Sequence, residues 1–226
     1  ATAFTVSGAT TRLTLDGIVA KTSQYAISCT TGASITLRRS TLTENPGVAC
    51  TVNGCTLQIE RTLFSNNGRA LYVVGSTAYN IRNSIFANNG SSASDSAVII
   101  DDGDGSFVYN TFVGNTARSG VPGGLTCINA PRDVYNCLFF GNSGTQADRC
   151  ALHNLAVGPS ASLSKFVFVG FDQQQYALVD TLESRATIVD QAGSTDVPAV
   201  QAVVDDFLGL PRPRGAAPDI GAYELQ

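Results

Sequence analysis

Few residues in this chain have types and spacing suited to chemistry. The segment Ile99-Ile100-Asp101-Asp102-Gly103-Asp104-Gly105-Ser106 places three carboxylates within four positions. A hydrolase of the polygalacturonase type needs carboxylates converging on one face, one protonated and one activating water. Asp101, Asp102 and Asp104 are therefore the catalytic candidates. No Gly-His-Gly or Arg-x-Lys accompanies them, and a polar turn between strands is the plainer reading. In the same segment Asp102, Asp104 and Ser106 alternate hard oxygen donors with intervening residues that allow a tight loop, a spacing that suits Ca²⁺. Calcium is the one cofactor the chain suggests. A lyase would also need a basic residue beside the carboxylates to take a proton. Arg118, Arg132 and Arg149 are the basic residues expected near the acidic loop, while Lys21 and Lys165 lie toward the ends. His153, the single histidine, reads as a strand residue more readily than as a general base.

The elements that position these groups follow from a repeat. Leu13, Ile35, Leu57 and Tyr79 fall at steps of 22, and Leu15, Leu37, Ile59 and Ile81 do the same two places later. The series continues through Val108 and Val134 with longer steps, which places loop insertions in the later repeats. Within each repeat apolar residues take alternate places, as in Ile35-Thr36-Leu37-Arg38, and no helical period is present. Three short strands per repeat predict an all-β, right-handed parallel β-helix with rungs of about 22 residues. Rungs occupy residues 1–171, and residues 172–226 form a C-terminal capping segment of the same domain that covers the open last edge.

Stacking turns columns of like residues into spatial predictions. Phe64, Phe86, Phe112 and Phe139 form an aromatic column inside the coil, and Asn45, Asn67, Asn89, Asn115 and Asn142 a carboxamide column three residues later. Asn83, Asn110 and Asn136, preceded by Arg39 and Arg61, mark a turn that needs left-handed backbone. Outside the coil, Asp16, Arg38, Glu60 and Arg82 alternate in sign before Tyr109 and Tyr135 continue the stripe. That stripe reads as a sugar- or anion-binding face, or as a solvated charge ladder.

Composition narrows the function classes. The formal net charge is −4, and only two of the 14 basic residues are lysines, which weighs against nucleic acid as a partner. Apolar runs are far shorter than a bilayer requires, so no membrane insertion is expected within this chain. The six cysteines include no Cys-x-x-Cys, so zinc is not expected. They suit disulfides in an oxidising compartment, with buried free thiols as the alternative. Cys127 and Cys150 sit 23 residues apart on equivalent strands of neighbouring rungs and are expected to be bridged. Cys29 lies in the same way near Cys50 and Cys55, with the pairing open. Cys137 falls in the column of Ser40, Thr62, Ser84 and Thr111 and is expected to stay a small buried thiol.

The four units Phe64-Ser-Asn-Asn67, Phe86-Ala-Asn-Asn89, Phe112-Val-Gly-Asn115 and Phe139-Phe-Gly-Asn142, with Gly123-Gly124-Leu125 upstream, resemble repeats of surface β-helix proteins such as the chlamydial polymorphic outer-membrane proteins. The segments Val189–Ser194, Asp206–Pro213 and Pro218–Glu224 are similar to the end of bacterial choice-of-anchor Q proteins. That resemblance implies that the Asp-Ile-Gly-Ala-Tyr-Glu ending closes the β-helix, and it implies a secreted or surface-displayed bacterial protein. The expected function is non-catalytic binding or adhesion by a monomer, with a polysaccharide or cell-surface component as partner. Asp101, Asp102, Asp104, Tyr109 and Tyr135 are the binding candidates, and the insertions at Ser91–Asp104 and Arg118–Gly124 supply the variable surface. The alternatives are a polysaccharide lyase or glycoside hydrolase and a structural spacer, because the fold hosts all three.

Overall fold

In a computed structural model the chain winds into seven rungs whose strands stack as three parallel sheets of seven strands each. Residues 1–75, 77–158, 168–170, 175–179, 181, 186–193 and 196–225 are described. Lys165, Ser194 and Gln226 lie outside them. Rung one runs through Thr2–Ser7, Arg12–Asp16 and Val19–Lys21, one strand per sheet. Rung four uses Arg69–Val74, Ala78–Arg82 and Ile85–Ala87. Rung five uses Val98–Ile100, Asp104–Val108 and Thr111–Val113, and rung six Leu125–Cys127, Asp133–Tyr135 and Leu138–Phe140. Rung seven closes the stack with Ala147–Asp148, Ala151–His153 and Ala156–Gly158. The fold is the predicted parallel β-helix.

Two columns hold the interior in register. Phe64, Phe86, Phe112 and Phe139 stack with centroids 5.1, 4.8 and 4.5 Å apart and planes within 13° of parallel. Each such pair contributes about 0.5–1.5 kcal/mol beyond its burial. At the corner that follows, every asparagine donates from Nδ2 to the Oδ1 of the next. The links Asn45–Asn67, Asn67–Asn89, Asn89–Asn115 and Asn115–Asn142 measure 2.8, 2.9, 3.0 and 2.8 Å, and Gln146 Oε1 accepts from the last at 2.8 Å. The second Nδ2 hydrogen of Asn115 goes to the Phe86 carbonyl at 2.8 Å, tying the two columns together. Every carboxamide of this ladder has a partner in its buried corner, which is why the ladder can sit there at all.

The repeat slips by one residue in rung five. Arg82 stands opposite Val108 and Ile81 opposite Phe107, so Phe107, not Val108, is the inward residue. Tyr109 therefore occupies the turn column of Arg39, Arg61, Asn83 and Asn136, all with positive φ. Asn110 joins Ser40, Thr62, Ser84 and Cys137, a column whose side chains accept from the previous rung's backbone: Ser84 N–H donates to Asn110 Oδ1 at 2.9 Å. Thr111 is one place further on, opposite Ile85 and Leu138. The cause is the lengthened rung step, 26 residues between Asn89 and Asn115 instead of 22, which breaks strict counting.

Disulfides staple the corner between the first and second sheets near both ends of the solenoid. Cys29 of rung two is joined to Cys55 of rung three, and Cys127 of rung six to Cys150 of rung seven. Closing loops of 26 and 23 residues, each contributes about 3 kcal/mol in the chain-entropy picture. Cys50 and Cys137 are free and buried, and burial pushes both thiols up to about 12.

The described part of the expected C-terminal cap packs along the third sheet and reaches Asn154 of rung seven. Ile188, Val200, Val203, Ile220 and Ala222 pack on Ile85, Ala87, Val113, Leu138 and Phe140, the outward residues of the third sheet in rungs four to six. Those strands read Ile85-Phe86-Ala87 and Leu138-Phe139-Phe140, apolar on both faces, because both faces are covered.

A groove on the first sheet

The acidic segment does not fold into one converging site. Asp101 ends a strand-to-corner passage where its Oδ1 accepts from Asn129 Nδ2 at 3.0 Å and its Oδ2 from the Tyr72 hydroxyl at 3.3 Å. Asp102 turns back to accept the Gly103 N–H at 2.7 Å, with the Arg132 guanidinium 3.6 Å away. Asp104 is exposed at the start of the second sheet, and Ser106 follows it on the same outward face. A cation held by Asp102 would compete with Arg132, and among the described residues no three His, Cys, Asp or Glu side chains gather around a metal-sized point.

Tyr135 and Tyr109 part company. Tyr135 stands on the outer face of the second sheet, its ring stacked on His153 at 4.6 Å, and His153 Nε2 reaches Asp133 Oδ1 at 3.0 Å. Tyr109 is 1% exposed at the corner, beneath Arg212, and offers no outer surface. The charge column runs Asp16, Arg38, Glu60, Arg82, Val108, Tyr135 and His153; Glu60 bridges Arg38 at 3.5 Å and Arg82 at 3.3 Å, so the column's charges neutralise one another.

The two insertions instead build a groove on the outer face of the first sheet. The first insertion occupies residues 91–97 before Val98–Ile100; the second precedes Leu125–Cys127. Asp95 ties them together, taking Arg69 at 3.3 Å and Arg118 at 3.0 Å, while the Arg118 N–H donates to the Ser94 carbonyl at 2.8 Å. Gly124 lets the second insertion re-enter the sheet: a Cβ there would meet the Gln146 carbonyl oxygen at 2.4 Å. Ile99, Thr126 and Ile128 form the floor, Val121 and Pro122 one wall, Asp148 and Arg149 the other, enclosing about 350 Å³. Thr126 Oγ1 is 2.6 Å from Ser96 Oγ, so the floor is part aliphatic and part hydroxyl. One rung back, Tyr72 carries Arg69 over its ring at 5.5 Å. A second depression of about 500 Å³, lined by the Cys127–Cys150 pair, Asn129, Ala130 and Pro131, shares Ile128 and Arg149 with the groove.

Of the residues expected to bind, only Asp101 borders this region, through Tyr72 and Asn129. Thr126 has no signal of its own in the sequence; Asp95 and Ile99 are marked only by lying in the insertion Ser91–Asp104, and Arg149 only as a basic residue expected near the acidic segment.

The fold and this lateral groove define a right-handed parallel β-helix protein. The family model "Right handed beta helix region" matches residues 2–139, and the chain belongs to that family. Comparison with curated proteins and with solved structures gave no match. The two disulfides suggest an extracellular or otherwise oxidising environment, and no described helix is long and apolar enough to cross a membrane.

Proposed function

We propose that this protein is a non-catalytic recognition module, secreted or displayed on a bacterial surface, that binds a glycan in the groove on its first sheet. The observation that carries the reading is the pair of insertions tied by Asp95, which add walls to one stretch of the first sheet. A rigid solenoid fixes loops in place, so a groove built from them is preformed. The floor offers aliphatic carbon beside hydroxyls, and the rim offers exposed guanidiniums at Arg118 and Arg149, a mixture suited to a sugar's apolar face and its hydroxyls. Binding without catalysis is favoured by the carboxylates of the acidic segment, which are held apart by Asn129, Tyr72 and Arg132.

The test is a glycan array followed by titration of the hits with Arg118→Glu and Arg149→Glu variants, using Arg38→Glu on the second sheet as control. Both groove variants should lose at least tenfold in affinity and the control should not. An array without hits favours a structural spacer. Depolymerisation of a polysaccharide, measured with and without Ca²⁺ and abolished in Asp102→Ala, would replace this reading with an enzyme acting through Asp101, Asp102 and Asp104.

A further inference from the structure

The two disulfides differ in what surrounds them. Cys29 and Cys55 are 0% and 3% exposed, sealed in the core. Cys127 is equally buried, but Cys150 is only half-buried, and the pair lines the depression that adjoins the groove. What the second pair restrains also differs. Rung seven contributes only Ala147–Asp148 to the first sheet, paired with rung six through Leu125–Ala147 and Thr126–Asp148 alone. The covalent link from Cys127 to Cys150 holds that short strand's continuation, and Asp148 and Arg149 within it form a wall of the groove.

We propose that Cys127–Cys150 is a reducible latch on the groove wall, opened by a small dithiol while Cys29–Cys55 stays closed. The groove's role in ligand binding rests on the function proposed above; the selective opening of the latch does not. A thiolate of the dithiol attacks Cys150 Sγ from the depression. The S–S bond breaks, Cys127 leaves and takes a proton, and a mixed disulfide remains on Cys150. The dithiol's second sulfur then attacks its own partner, closing a cyclic disulfide and expelling Cys150 as a thiolate, which takes a proton from solvent. The protein gains two electrons and two protons, and the dithiol is oxidised by the same amount. Reduction frees Arg149 and Cys150 from rung six, and the wall carrying Asp148 and Arg149 loses its tether, while Ala151–His153 stay paired with Asp133–Tyr135.

The folded protein is titrated with dithiothreitol, trapped with iodoacetamide and mapped by mass spectrometry, with hydrogen exchange followed on the same samples. At the concentration that labels Cys127 and Cys150 fully, Cys29 and Cys55 should be labelled to less than a tenth, and exchange at 147–150 should rise at least tenfold with the other rungs unchanged. A Cys127→Ala/Cys150→Ala variant should reproduce that local exchange without reductant. Simultaneous reduction of both disulfides, or earlier reduction of Cys29–Cys55, would overturn the selectivity. Selective reduction with unchanged exchange at 147–150 would overturn the latch. Loss of all glycan binding with both results intact would count against the groove's function alone.

Discussion

Arg212 lays its guanidinium 4.1 Å above the Tyr109 ring and closes a 2.7 Å ion pair with Glu224, both charged side chains at most 1% exposed. Its guanidinium also donates to the carbonyls of Asp219 at 2.8 Å, Gly221 at 3.1 Å and Asp205 at 3.4 Å. Around it, Asp206 collects the N–H groups of Leu208, Leu210 and Glu224, and Asp219 those of Asp190 and Leu225. The C-terminal segment is thus knotted by carboxylates that gather backbone donors, with one buried cation at the centre, and it grips the solenoid through Tyr109.

Removing that cation leaves Glu224 buried without its charge partner. Arg212→Met should cost about 3–5 kcal/mol. Urea unfolding followed by tyrosine fluorescence measures it, since the chain has no Trp. Adding Glu224→Gln to Arg212→Met should recover part of the loss; a double variant no more stable than the single one would count against the ion pair as the cause.

The tyrosines predict an alkaline limit. Burial pushes Tyr109 and Tyr176 up to about 12, and raises Tyr79 and Tyr223 as well. A phenol whose folded value lies above its unfolded 10.0 keeps its proton longer in the folded state. Its contribution to stability is complete below about pH 10 and is lost as pH rises toward about 12. Phenolate absorbance should therefore show late-titrating tyrosines that ionise together with unfolding. Smooth ionisation of all seven tyrosines near pH 10, with the fold intact, would contradict the burial.

The asparagine ladder predicts a charge-sensitive core. Asn115→Ala strips partners from the Asn89 N–H, the Asn89 Nδ2 and the Phe86 carbonyl, and should cost about 3 kcal/mol or more. Asn115→Asp keeps the shape but loses a donor and buries a carboxylate, whose folded value must rise. A raised carboxyl favours folding as pH falls, so the Asp variant's deficit should shrink on acidification while the Ala variant's does not. Denaturant melts at neutral and mildly acid pH decide between these outcomes.

Thiol counting checks the covalent frame. Alkylation of the folded protein at mildly alkaline pH should modify neither Cys50 nor Cys137, both buried and held near 12. Denaturation without reductant should expose two thiols, and reduction all six.

The spacing of Leu13, Ile35 and Leu57, the phenylalanine and asparagine columns and the rung equivalence of Cys127 with Cys150 were legible in the sequence. Each depends on a local period that stacking converts directly into contact. The register of rung five was not legible, because residues inserted before it shift the count and alternation alone does not say by how much. Tyr109 consequently moves from an outer stripe to the pivot beneath Arg212. The doubly apolar strands Ile85-Phe86-Ala87 and Leu138-Phe139-Phe140 signal that something covers the third sheet, but only the folded chain names Ile188, Val203 and Ile220 as the cover. The groove was decided by tertiary structure for the same reason. Asp95 reaches Arg69 and Arg118 across 26 and 23 residues of sequence, a convergence that no local pattern encodes and that rung stacking alone brings about.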